Sequence, residues 1–77
     1  MYRLDISRLR EIAARHGDAS PAAIARRTEI AESSVYRILS GRSQPDLISA
    51  LRLAKTYRTT VEELMELVQA DAERVPA

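Results

Sequence analysis

Apolar residues recur every three to four positions along most of the chain, but each run ends within about a dozen residues at a helix-stop or helix-start signal. Such a pattern cannot sustain a membrane span. It requires several short helices to share one core. The first run is Ile6, Leu9, Ile12, Ala13 and His16, with Asp5 placed to cap its start and Gly17 to end it in a left-handed conformation. His16 reads as a partner of the helix dipole or a partly buried core residue. The second run begins at Ser20-Pro21, an N-cap followed by a proline at the first helical position, and spans about 21–28 with Ile24, Ala25 and Thr28 facing inward. A third helix, about 32–40, sets Val35, Ile38 and Leu39 on its inner face, and Gly41 stops it. Ala31 is a poor cap for this helix, whereas Glu32 suits the positive end of its dipole.

Pro45 and Asp46 start a fourth helix, whose stripe is Ile48, Leu51, Leu53, Ala54 and Tyr57. Thr60 and Glu63 have the spacing of a capping box for a fifth, running to about residue 70 with Val61, Leu64, Met65, Leu67 and Val68 as its apolar set. The expected fold is therefore all-α, five short helices in one domain over residues 1–70, followed by a short polar tail at 71–77. Three tyrosines are the only aromatics and there are two glycines, which argues against a β-sandwich or barrel. A chain of this size removes only about 60–65% of its unfolded surface from water, so its core is modest.

With no cysteine and one histidine, a disulfide framework, a Cys-ligated metal site and a Ser/His/Asp arrangement have no residues to build them. No pair of carboxylates or nucleophile–base set shares a face, so no catalytic residue, metal or cofactor is expected and the chain is not expected to be an enzyme. The N-terminus lacks a charged n-region and an apolar h-region, and a cytoplasmic location is expected. The net charge of +1 hides a split. Residues 1–58 carry eleven basic and six acidic side chains, a net +5, whereas residues 59–77 carry one basic and five acidic, a net −4. This reads either as a polyanion-binding face held apart from an acidic end, or as two solvated surfaces.

Helices two and three are short, joined by three or four residues and apolar on one side only, so they must cross steeply. The outer face of the third presents Ser33, Tyr36, Arg37 and Ser40, with Glu32 in its first turn. Small hydroxyls admit close approach to a groove floor, and a guanidinium can fork onto the acceptor pair of a guanine. Glu32 could accept from a cytosine amino group or repel phosphates. An ordinary solvated face would carry the same residue types.

The stretch from Pro21 to Ser40 resembles the helix-turn-helix of Cro and lambda-repressor-like (XRE-type) DNA-binding domains. Ile24-Ala25 is similar to that family's apolar-Ala pair, and Ile30, Val35 and Ile38 fall on its core positions. Gly41, Pro45 and Asp46 resemble the loop after its recognition helix and the cap of its fourth helix. Ala54 and the run Thr60 to Met65 resemble its last two helices, so the likeness extends over about residues 4–68. Several positions depart from the pattern. Pro21 stands where a Gln is frequent, which passes that contact to Ser20 or a backbone N–H. Glu29 and Arg58 stand where the family has Gly. Either they take left-handed conformations, at a cost of order 1 kcal/mol each, or the turns are remodelled. Leu39 replaces a Glu that pairs with an Arg of the first helix, where Ala13 or Ala14 stands instead, which exchanges a buried ion pair for apolar packing.

The resemblance implies a sequence-specific regulator of transcription, a small Cro-like or phage-type repressor on double-stranded DNA, with no small-molecule ligand. It implies that Glu32, Ser33, Ser34, Tyr36 and Arg37 read bases, and that Ser20, Arg26, Arg42, Ser43 and Gln44, with Arg10 or Arg15 as further candidates, contact phosphates. A homodimer, at least on DNA, is expected because one small domain makes few contacts, with Leu67 and Val68 as candidates for the dimer contact unless they complete the monomer core. The alternatives are an antitoxin of the same fold and a protein-interaction module on a helix-turn-helix scaffold.

Overall fold

The computed structural model describes residues 1–68, in the order β1 (Tyr2–Leu4), α1 (Ile6–Arg15), α2 (Pro21–Thr28), α3 (Glu32–Leu39), α4 (Leu47–Thr56), α5 (Val61–Leu64) and β2 (Met65–Leu67). The tail expected at 71–77 lies outside the described residues. Among those described, no helix is long and apolar enough to cross a membrane.

Four of the five helices start where a side chain accepts from the backbone. Asp5 takes the N–H of Arg8 at 3.0 Å, Ser20 that of Ala23 at 3.1 Å, Asp46 that of Ser49 at 2.7 Å and Thr60 that of Glu63 at 3.1 Å. The Ser49 N–H holds the Asp46 carboxyl below the usual carboxylate range. Ala31 has no side-chain acceptor to offer, and α3 starts without such a cap. Helices α1, α3 and α4 end alike. A left-handed residue, Gly17, Gly41 or Arg58, turns the chain so that the next N–H returns to a carbonyl five residues back. Glu29, at the end of α2, is also left-handed, with φ 62°, and Arg58 has φ 56°. The family's glycine turns are thus retained rather than remodelled, without glycine.

The core gathers residues from all five helices, and Leu9, Leu53 and Leu64 are its largest fully buried side chains. Burying such a side chain contributes about 1.5–3 kcal/mol. Ala13 and Leu39 belong to this cluster, so apolar packing occupies the place of the family's ion pair. Ala14 is exposed and takes no part.

Several sequence-based expectations need correction. The domain is mostly helical but not all-α: β1 and β2 pair antiparallel with Tyr2 opposite Leu67, Arg3 opposite Glu66 and Leu4 opposite Met65. The Val68 N–H reaches the Met1 carbonyl at 2.7 Å and the Asp5 N–H reaches that of Leu64 at 2.8 Å, which extends the ladder at both ends. The fifth helix accordingly ends at Leu64, not about 70, because the following backbone groups bond to the N-terminal strand instead of to the preceding helical turn. Leu67 and Val68 therefore continue no helical stripe; Leu67 is 46% exposed on the strand and Val68 half-buried just after it.

The fourth helix differs as well. Ala50, Leu53, Ala54 and Tyr57 face the core, while Ile48 and Leu51, assigned to the same stripe, are exposed together with Leu47. At 3.6 residues per turn, positions 50, 53, 54 and 57 form one face and 47, 48 and 51 another, so the helix has two apolar sides. The capping box is half formed: Thr60 caps Glu63, but the Glu63 carboxylate accepts from the Thr59 hydroxyl at 3.5 Å instead of returning to Thr60.

Candidate nucleic-acid interface

Val35, Ile38 and Leu39 draw one side of α3 into the core, and the helical period then obliges the other side to face outward. Glu32, Ser33, Tyr36, Arg37 and Ser40 are exposed there, Tyr36 to 53%, and Ser34 lies at the border, half-buried. The Arg37 guanidinium donates back along the helix to Ser34 Oγ at 3.3 Å, which leaves the Ser34 hydroxyl proton and the other guanidinium N–H groups free to donate. No other part of the described chain covers this row.

Beyond α3 the chain wraps the helix end. The Arg37 carbonyl accepts from the N–H of Arg42 at 2.9 Å, from the N–H of Ser43 at 3.3 Å and from the Ser40 hydroxyl at 3.1 Å. Gly41, with φ 82°, supplies the turn that a Cβ would strain. Arg42 is exposed and Ser43 half-buried. Gln44 is more constrained than a free phosphate ligand, because its Oε1 accepts from the Leu4 N–H at 2.7 Å and only its amide donors remain to offer. This bond also ties the loop to β1. Ser20 likewise spends one lone pair on the Ala23 N–H and keeps its hydroxyl proton. Arg10 and Arg26 are exposed, and neither forms an ion pair among the described residues, whereas Arg15 pairs with Glu11 at 3.2 Å.

The attitude of α2 and α3, which pack directly on each other, is set by groups that a reading of the sequence passed over. Asp18, almost fully buried after α1, accepts from Arg27 Nε of α2 at 2.5 Å and from the Tyr57 hydroxyl at the end of α4 at 2.7 Å. Arg27 also donates to the His16 carbonyl at 3.3 Å. Burial pushes the Asp18 carboxyl up, but the hydrogen bonds from Arg27 and Tyr57, with the charges of Arg27 and His16, outweigh it and hold the group below its ordinary range. Burial, reinforced by Asp18, drives the Tyr57 phenol well above its ordinary value. His16 itself is exposed as the C-cap of α1, its ring centroid 5.2 Å from that of Tyr57. Arg27 is thereby a structural clamp and Arg26 the free cation of the pair.

A second strut closes the turn between α2 and α3. Arg52 of α4 donates to the Glu29 carbonyl at 3.0 Å, at the residue held left-handed. Neither the clamp nor this strut is local in sequence, so helical spacing carried no sign of them. The only hint of the clamp was an acidic residue directly after a helix-stopping glycine. The outward side of α3, with its hydroxyls, its phenol and the Arg37 guanidinium, suits the edge of a polyanion. The helix-turn-helix domain family matches residues 7–74 of the chain. No curated protein and no solved structure matches it.

Proposed function

The chain belongs to the helix-turn-helix domain family, and from that premise we propose that it is a sequence-specific regulator of transcription, a small Cro-like repressor that reads the major groove of duplex DNA with α3. The observation that carries this reading is the uncovered row on α3, with Tyr36 half-exposed and Arg37 held along the helix by Ser34. Ser33, Ser34, Tyr36 and Arg37 then meet base edges, and Glu32 sits where a cytosine amino group can donate to it. Arg42, Ser43, Arg26, Ser20 and the amide of Gln44 contact phosphates, which set register without reading sequence. The protein acts in the cytoplasm, needs no cofactor or small-molecule ligand, and carries out no catalysis.

A salt titration tests the reading. Log affinity for a selected duplex should fall linearly with log salt, with a slope that matches several released counterions. Retention on neither selected nor random duplex at low salt would remove the proposal. The net −4 of residues 59–77 favours one second reading, an antitoxin whose acidic end docks on a basic toxin. Co-purification with the product of a neighbouring gene separates that reading from a free-standing repressor.

A further inference from the structure

The turn between α2 and α3 decides how the outer row of α3 is aimed, yet its backbone holds few bonds of its own. Glu29 is left-handed, with φ 62°, and its N–H closes on the Ala25 carbonyl at 2.8 Å. The bonds of α3 begin with the Val35 N–H on the Ala31 carbonyl at 3.0 Å, and Ala31 adds no side-chain cap. Between these two points the Glu29 carbonyl receives no backbone N–H among the described residues. Its donor is Arg52, from α4, at 3.0 Å. The Arg52 side chain lines the depression on either side of the turn, one with Arg27 and Thr28, the other with Ile30, Ala31 and Ser34. It is exposed and in no ion pair among the described residues. The helix beneath it is firmly seated, with Leu53 and Ala54 in the core and Asp46 as its cap.

We infer that Arg52 is a positioning residue for base reading: by holding the Glu29 carbonyl it sets the rotation at which α3 leaves the turn, without touching DNA. The inference rests on the DNA reading above. Ile30 is buried and pins the same turn inward, but an apolar contact has no direction and fixes depth rather than rotation. A guanidinium N–H on a carbonyl is directional and charge-assisted, so it supplies the missing constraint. Tyr36 and Arg37 line neither depression beside Arg52, so the strut leaves that pair free. Base contacts demand an exact approach, whereas phosphate contacts tolerate a small rotation of the helix. Loss of the strut therefore falls on the selected sequence and spares random duplex. A lysine at position 52 keeps the charge and one donor on a flexible stem, and holds the carbonyl less strictly.

The test compares the full chain with Arg52→Ala, Arg52→Lys and Lys55→Ala, each well below its thermal transition. Lys55 lines the same depression as Arg52 and serves as the control of equal charge. Hydrogen exchange at the Val35 amide, which opens α3, needs no DNA. It should quicken in Arg52→Ala and stay at the wild-type rate in Lys55→Ala. On DNA, Arg52→Ala should bind the selected duplex about two- to tenfold more weakly than Lys55→Ala does. The two variants should bind random duplex alike, and Arg52→Lys should recover part of the difference. Equal losses of Arg52→Ala on selected and random duplex, with a salt slope lower by about one, would make Arg52 a phosphate ligand and overturn the inference. Wild-type exchange at Val35, or the same loss of preference in Lys55→Ala, overturns it too. If the wild type retains no duplex while Val35 exchange still quickens in Arg52→Ala, the DNA reading falls and takes the role in base reading with it. The hold of Arg52 on α3 then stands alone.

Discussion

Helices α3 and α4 lie on the same core and are of similar length, eight and ten residues, yet they turn opposite chemistry to solvent. The inner face of each is buried: Val35, Ile38 and Leu39 on one, Ala50, Leu53 and Ala54 on the other. Outward, α3 offers hydroxyls, a phenol, a guanidinium and a carboxylate, whereas α4 offers two leucines and an isoleucine beside Arg52 and Lys55. Both helices are amphipathic to the core, but only α3 has a wholly polar back; on α4 three apolar side chains are exposed among Arg52 and Lys55. A helix with two apolar sides remains unfinished until another surface covers the second one. The contrast divides one small domain into a side suited to a charged, hydrated partner and a side suited to a dry one.

The contrast is sharpest within α4. Leu53→Ala, on the buried face, should cost about 2–5 kcal/mol, enough to unfold much of a domain this small. Leu51→Ala, two residues away on the outer face, should change monomer stability by less than about 0.5 kcal/mol. Chemical denaturation of the two variants checks this, and equal losses would erase the distinction between the faces. The clamp that sets the attitude of α2 and α3 comes next. Asp18→Ala should cost about 1–3 kcal/mol, because the Tyr57 hydroxyl loses its acceptor. The same group sets an acid limit. Its folded carboxyl is held below its unfolded value, so its contribution is full above the unfolded pKa near 4 and fades as pH falls through the folded one. Thermal unfolding from neutral pH downward should show that loss in the wild type, and a weaker slope in Asp18→Ala.

On the polar side, Arg37→Ala should relax preference at one base position by about 1–3 kcal/mol, while Arg42→Ala should weaken all sequences alike and lower the salt slope by about one. Binding to a panel of single-base variants separates the two, and equal behaviour would cancel the assignment of α3 as reader and its loop as anchor. The smallest effect belongs to the turns. Glu29→Gly or Arg58→Gly should stabilise by up to about 1 kcal/mol, since the left-handed conformation strains a Cβ that glycine lacks. A destabilisation by either would mean that the side chain contributes more than its backbone strain costs.

Much of the frame was readable from residue order. Asp5, Ser20, Asp46 and Thr60 are caps because a short oxygen side chain before an apolar period has one nearby use, and all four find the expected backbone donor. The outer row of α3 followed from a clean period with a single apolar face. What escaped was non-local or ambiguous. Two three-residue strands are too short to show alternation, and their pairing joins residues more than sixty positions apart. Val61, Leu64, Met65 and Val68 keep a helical period whether or not the backbone stays helical. In α4 two apolar faces satisfied the same spacing rule, and only packing chose between them. The bonds from Asp18 to Arg27 and Tyr57 depend on three separate segments converging, which no local pattern announces.

Gln44 gives the fold one more property. Its bond to the Leu4 amide means that the loop closing α3 is stitched to the two-stranded sheet where the chain's first residues meet its later ones. A force that peels that sheet open therefore tugs on the loop beside α3. The Leu4 amide proton, followed by hydrogen exchange, becomes a gauge of strain transmitted between the two ends of that stitch.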